Sequence, residues 1–317
     1  MLRSPAVADH FRTVTALPTV RAGLRAAYPL PAATIGTATS TGFGEAGPAA
    51  LASGVCCAWP LAAEATCAAE ARRTFRDAAA GLGMPRDLVD DGVTMASELA
   101  ANTLHARQEG EDGGEPRAGI GAPELWLYLR RTHGQWELVC KVFDSLRGWK
   151  GGRSPRPGSA SLDAVTGRGL QVVAGLSAGR WGHHLTRSRL GGWKVPGKVV
   201  WFAVPVPAAA CHAPDWAWRS RLGPCEAARE LAAMLADRGL GERLMVTDEP
   251  EAGLAVLSVR CGLTVWCRDG ISWRTRAGRY QRQAIADLVD SAEQIISTCE
   301  EMDRGIGAGY PGLERVR

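Results

Sequence analysis

The chain has 317 residues, more than one average domain, and 46% of them are hydrophobic, enough for two separate cores. A net charge of +4 with a pI near 8.6 is too mild to require a nucleic-acid partner. The nine cysteines contain no CxxC pair and are odd in number, which argues against a secreted disulfide framework and for a reducing, cytoplasmic setting.

Residues 1–51 are rich in Ala, Thr, Pro and Gly, a composition that predicts a flexible N-terminal extension. The first twenty residues lack the continuous apolar run of a secretory signal. The uncharged stretch 46–63 is interrupted by Pro48, Gly54 and Pro60, so no membrane span is expected. A short strand is predicted at Val55–Trp59, then a helix in the alanine-rich run that closes at Gly81 or Gly83. Pro85 suits the first turn of a second helix, running to about Arg107. A polar, glycine-rich loop leads to two strands, "ELWLYLRR" and "WELVCKVFD". In the second, Trp136, Leu138, Cys140 and Val142 share one face with Asp144, while Glu137 and Lys141 mark the other. Residues 145–167 form a Gly/Ser/Pro/Arg segment long enough for a functional lid. A helix resumes at "GRGLQVVAGLSA", and "RWGHHLTRS" and "GKVVWFAVPVP" read as closing strands. After a linker at 208–221 the pattern restarts as a small α/β unit over 222–304: a helix at 224–238, four short strands, and a helix from about 280 to 302, with 305–317 as a tail.

The segment "MASELAANTLHAR" is the most informative. Glu98, Asn102 and His105 are spaced four and three apart, so a helix projects them from one side. Nearly everything around them is apolar, which reverses the proportions of a surface helix and predicts a buried helix with one thin polar seam. By themselves Glu98 and Asn102 could be a satisfied core pair, Asp144 could cap a turn, and "TGRGL" could be a tight turn. Glycines at a helix start could equally let backbone N–H groups approach an anion. His183 and His184 point to opposite faces of a strand, so they do not read as a metal pair. The tryptophans of "DWAWRS" and "GLTVWCRDGISW" could form a base-stacking surface beside Arg274, Arg276, Arg279 and Arg282, but core and hairpin packing with a solvated arginine edge is the commoner outcome for such residues.

Taken in order, "ELAANTLHA" in a buried helix, a strand-ending aspartate, a Gly/Arg/Ser segment and "GRGL" opening a helix resemble the GHKL superfamily. This is the Bergerat-fold nucleotide-binding domain of DNA gyrase, the heat-shock chaperone ATPase, histidine kinases and mismatch-repair ATPases. The compact arrangement is most similar to bacterial anti-sigma-factor serine/threonine kinases and related actinobacterial regulators. The resemblance covers 52–207. It implies an α+β fold, a two-layer sandwich of the Bergerat type, to which the small C-terminal α/β unit is added.

The resemblance implies ATP and Mg2+ as cofactors. It makes Glu98 the general base toward an acceptor hydroxyl and Asn102 the magnesium ligand. Asp144 would accept a hydrogen bond from the adenine amino group. Gly167, Arg168 and Gly169, followed by Leu170, match the second glycine box that closes over the phosphates. Of the first box, Asp-x-Gly-x-Gly in the family, Asp144 and Gly148 remain, while Leu146 replaces a glycine. The implied function is a protein kinase that regulates transcription by partner switching, phosphorylating an anti-sigma-factor antagonist and binding a sigma factor, with a homodimer as one assembly. The alternative is a non-catalytic ATP-binding or partner-binding module. A histidine kinase fits less well, because no helical dimerisation segment is visible upstream.

Overall fold

Alternating side chains on the strands decide how the first sheet is buried. The computed structural model describes residues 38–39, 46–111, 121–132, 134–149, 168–207, 222–275 and 278–307. Its first sheet contains β1 (Ala38–Thr39), β2 (Cys57–Pro60), β3 (Glu124–Thr132), β4 (Gln135–Asp144), β5 (Trp181–Arg187) and β6 (Pro196–Val206) in the order β1-β2-β3-β4-β6-β5. All pairings are antiparallel except β1 with β2. The front face, carrying Leu125, Leu127, Leu138, Cys140, Val142, Phe202 and Val204, shares a core with α1 (Ala46–Ala52), α2 (Cys67–Gly81), α3 (Arg86–Glu111) and α4 (Arg168–Leu176). On α3, Val89, Val93, Met95, Ala96, Leu99 and Ala100 are buried, as the reversed proportions of the segment predict. The ordered chain also reaches into the expected N-terminal extension: Leu51 at the end of α1 is fully buried. Ala50 and Ala52 pack on the same core beside it, a local signal that bulk composition averages away.

The second sheet is antiparallel: β7 (Met245–Glu249), β8 (Leu254–Arg260), β9 (Leu263–Cys267), β10 (Ile271–Arg274) and β11 (Tyr280–Gln283) in the order β11-β10-β9-β8-β7. It packs against α5 (Pro224–Leu235) and α6 (Leu288–Gly307) through Leu257, Val265, Trp273, Leu231, Ile295 and Ile296. The predicted helix over 280–302 therefore begins later, at Leu288. Tyr280–Gln283 instead forms a fifth strand. The chain reverses through Gly278, whose φ of 75° suits glycine, so that Arg274 faces Tyr280 across the ladder.

Helix α6 lies between the two sheets. Its apolar side joins the second core, while Asp290, Glu293 and Glu300 form a stripe against the back of the first sheet. Asp290 accepts from Tyr128 at 2.7 Å and pairs with Arg130 at 3.7 Å. Glu293, fully buried, pairs with Arg189 at 2.7 Å, Lys141 at 3.4 Å and Arg238. Glu300 takes Arg187 at 2.6 Å and Arg147 at 2.8 Å. The charged side of β4, marked by Glu137 and Lys141, is thus not a solvent face.

Removing Glu293 leaves three buried cations without their shared counter-charge. Glu293→Ala should cost about 3–5 kcal/mol in urea unfolding; a loss below about 1 kcal/mol would show the cluster to be dispensable.

Burial, and then the Lys141 charge, hold the His184 imidazole down to about 4. In the unfolded chain it protonates near pH 6.5. As pH falls from about 6.5 to 4, protons therefore favour the unfolded chain, and stability drops. Asp287, pushed up to about 6 chiefly by burial, acts in the opposite sense as pH falls from about 6 to 4. With His184→Gln, unfolding midpoints should decline less on acidification than in the parent. Superimposable profiles for the two proteins would refute the imidazole's part.

Candidate functional site

The polar seam of α3 meets the start of α4. Gly169, buried in the first turn of α4, has its backbone pressed onto the seam: a Cβ there would lie 2.6 Å from Glu98 Oε2 and 3.1 Å from Asn102 Nδ2. Only glycine fits without moving those side chains. Residues 71 positions apart in sequence, Glu98 and Gly169, are thus neighbours. Glu98 and Asn102 are half-buried and, among the described residues, their side chains make no hydrogen bond or ion pair, whereas a paired core would satisfy them. The opening amides of α4 lack partners within the helix and carry its positive dipole end, so a carboxylate, a carboxamide and an anion-attracting helix start converge.

Leu170 packs on the front core and offers its amide, in the same first turn. Arg168 begins α4. Gly167 lies outside the described residues. His105 is exposed, next along the seam. Arg72 and Arg73 are on the exposed side of α2.

Asp144 sits on the front face at the end of β4, 3% exposed. Its Oδ1 accepts from the Leu146 amide at 2.9 Å and lies 3.9 Å from Arg107 Nε; its Oδ2 takes Lys198 Nζ at 2.6 Å. The turn-cap role is therefore present. Arg107 is five residues beyond Asn102 on α3, about 7.5 Å along the axis, and nine beyond Glu98, so it leaves the side of the helix opposite the seam and reaches the aspartate from there. Lys198 was missed in the sequence, although it shares parity with Val200, Phe202 and Val204 and stands opposite Asp144 in the β4–β6 register.

Gly148 is exposed and has no contact with Glu98 or Asn102 among the described residues. The segment containing it runs toward β5 and α6: Arg147 bonds Glu300, and Trp149 stacks edge-on against His183 at 4.7 Å.

His183 and His184 do face opposite sides, toward Trp149 and Lys141 respectively. Among the described residues, no group of three or more His, Cys, Asp or Glu side chains could hold a metal. A divalent ion at the α3–α4 junction would need oxygens from a ligand as well as Asn102, which is the usual manner of magnesium beside phosphates. The donor set fits that ion in kind. Among the described residues, no helix is long and apolar enough to cross a membrane. No protein-family model matches the chain, and no curated protein matches it.

A methyl group at position 169 should displace the ends of Glu98 and Asn102 while leaving the core intact. Gly169→Ala is expected to unfold within about 1 kcal/mol of the parent yet to lose measurable affinity for magnesium-ATP in a fluorescent-nucleotide titration. Unchanged affinity would separate the glycine from the seam's function.

Proposed function

We propose that the chain is an ATP- and magnesium-dependent protein serine/threonine kinase of the anti-sigma-factor type, built on a Bergerat-fold domain. The apposition of Gly169 with Glu98 and Asn102 carries the reading. It supports a phosphate site, because a glycine-opened helix and an oxygen-bearing seam approach one point from distant parts of the chain. In this reading Asn102 supplies one oxygen to the magnesium ion, which neutralises charge on the phosphates. The amides of α4 receive the phosphate oxygens. Glu98 orients the acceptor serine or threonine and takes its proton as the hydroxyl oxygen attacks the terminal phosphorus in line, with ADP leaving. The acceptor would be an anti-sigma-factor antagonist, with a sigma factor as the second partner.

A non-catalytic nucleotide- or partner-binding module is the second reading, and the Asp144–Lys198 pair favours it. An adenine amino group would have to share a carboxylate that already receives an ammonium and a backbone amide.

Asn102→Ala should abolish magnesium-dependent ATP binding. Glu98→Gln should still bind ATP but slow phosphate transfer to an antagonist protein by about 10²-fold or more. Full magnesium-dependent binding by Asn102→Ala would overturn the site. Tight binding with no transfer across a panel of antagonists would select the module.

A further inference from the structure

The second sheet has one face on α5 and α6 and the other uncovered among the described residues. An antiparallel sheet with one solvated face normally turns small or polar groups outward. Here Trp266 and Tyr280 point out, 38% and 63% exposed, while the neighbouring Trp273 is fully buried in the core. The pattern separates tryptophans that pack from one that does not.

The register places these groups in two rows. Trp266, Ser272 and Arg282 are cross-strand neighbours on β9, β10 and β11, and Arg274 stands opposite Tyr280 one step along. Ser272 is the small residue between them, and above it lies an open depression of about 390 Å³ rimmed by Trp266, Tyr280, Arg268, Arg274 and Arg282. Trp266 and Tyr280 are two strands apart and one step along, about 12 Å. Arg282 is paired with Asp269 at 2.7 Å and the Arg268 charge acts on the same carboxylate, while the Arg274 side chain has no ion-pair or hydrogen-bond partner among the described residues. The rim therefore carries three cations against one anion.

We infer that this face is a binding site for single-stranded nucleic acid. Two aromatic rings held on a rigid sheet can each stack a base, and arginines between them can follow the phosphates. An acidic peptide would use the arginines but leave the exposed indole unexplained. Duplex bases are already stacked on one another and could not reach the rings. The surface is independent of the α3–α4 junction, so its test needs neither ATP nor magnesium.

The test is fluorescence anisotropy of the full chain with labelled single-stranded RNA or DNA of about 12 nucleotides, alongside a duplex of the same sequence and a polyglutamate competitor. Single strands should bind more tightly than duplex, and the RNA and DNA arms show which sugar is preferred. Trp266→Ala should weaken binding about tenfold and Trp266→Phe by less than about threefold. Arg274→Ala should lower the slope of log affinity against log salt by about 0.7. Melting curves check folding. Should Trp266→Ala melt early, Tyr280→Ala, at a more exposed position, replaces it with the same expected loss. The inference fails if neither single strand binds, if duplex binds as well, if polyglutamate competes equally, or if the folded variants bind like the parent.

Discussion

One buried carboxylate shared among three cations holds the molecule's layers together. Glu293 comes from α6, and Lys141, Arg189 and Arg238 come from β4, the β5–β6 connection and the turn after α5. Burying charge is costly, and such clusters persist only when every member finds partners. Here the excess positive charge meets aromatic faces: Arg189 and Arg238 lie over the Trp126 ring at 5.2 and 4.8 Å, and Lys141 over Tyr128 at 5.2 Å. Glu124 accepts from Trp126 Nε1 and from the Arg189 amide, which pins the same ring from its edge. A stripe of acids on a helix and a patch of cations on a sheet can mate in few registers. The contact thus selects one placement of α6, where an apolar interface would permit sliding.

Much of this was legible in the sequence, and the failures are instructive. The buried α3 and its seam could be read because a helix repeats every 3.6 residues and both the apolar and the polar positions obey that period. The inward direction of Asp144 followed from the two-residue period of β4. The same logic applied to β6 would have placed Lys198 beside it. What periodicity could not say is what covers a face: it set Glu137 and Lys141 opposite Leu138 and Cys140 on β4 but did not show that α6 lies over them. Asp290, Glu293 and Glu300 do fall on one side of a helix, yet an acidic stripe reads as surface until a basic partner is in view. Tyr280–Gln283 was absorbed into a helix because polar residues before a strong amphipathic run carry little strand signal, and its identity comes from pairing with β10. The nearness of Gly169 to Glu98 was implied only by the order of the boxes; the sequence contains no distance.

The buried back face also bears on the candidate site. The front of the first sheet packs on the helices that carry the seam, the back is locked to α6, and residues 144–147 at the end of β4 contact both layers through Arg107 and Glu300. Asp144 faces the front. Three residues later Arg147 reaches Glu300 on α6, and Arg304 donates to the Arg147 carbonyl. The stretch that follows Asp144 is therefore fastened by the C-terminal helix at its root.

Leu146 stands where the resemblance implies a glycine. A glycine is irreplaceable where φ is positive or where a neighbour leaves no space. Leu146 meets neither condition: the only non-glycine residue with positive φ among the described residues is Ala178. Instead its amide donates to Asp144 and its carbonyl accepts from Lys198. The substitution thus comes with a closed set of bonds, in which a lysine satisfies both the aspartate and the turn that follows it. A nucleotide entering there would gain an adenine contact only by competing with that lysine, whereas the Glu98 and Asn102 side chains have no partner among the described residues to give up. In the proposed reading, then, binding energy comes chiefly from the phosphate end, and selection for adenine is the weaker part of recognition.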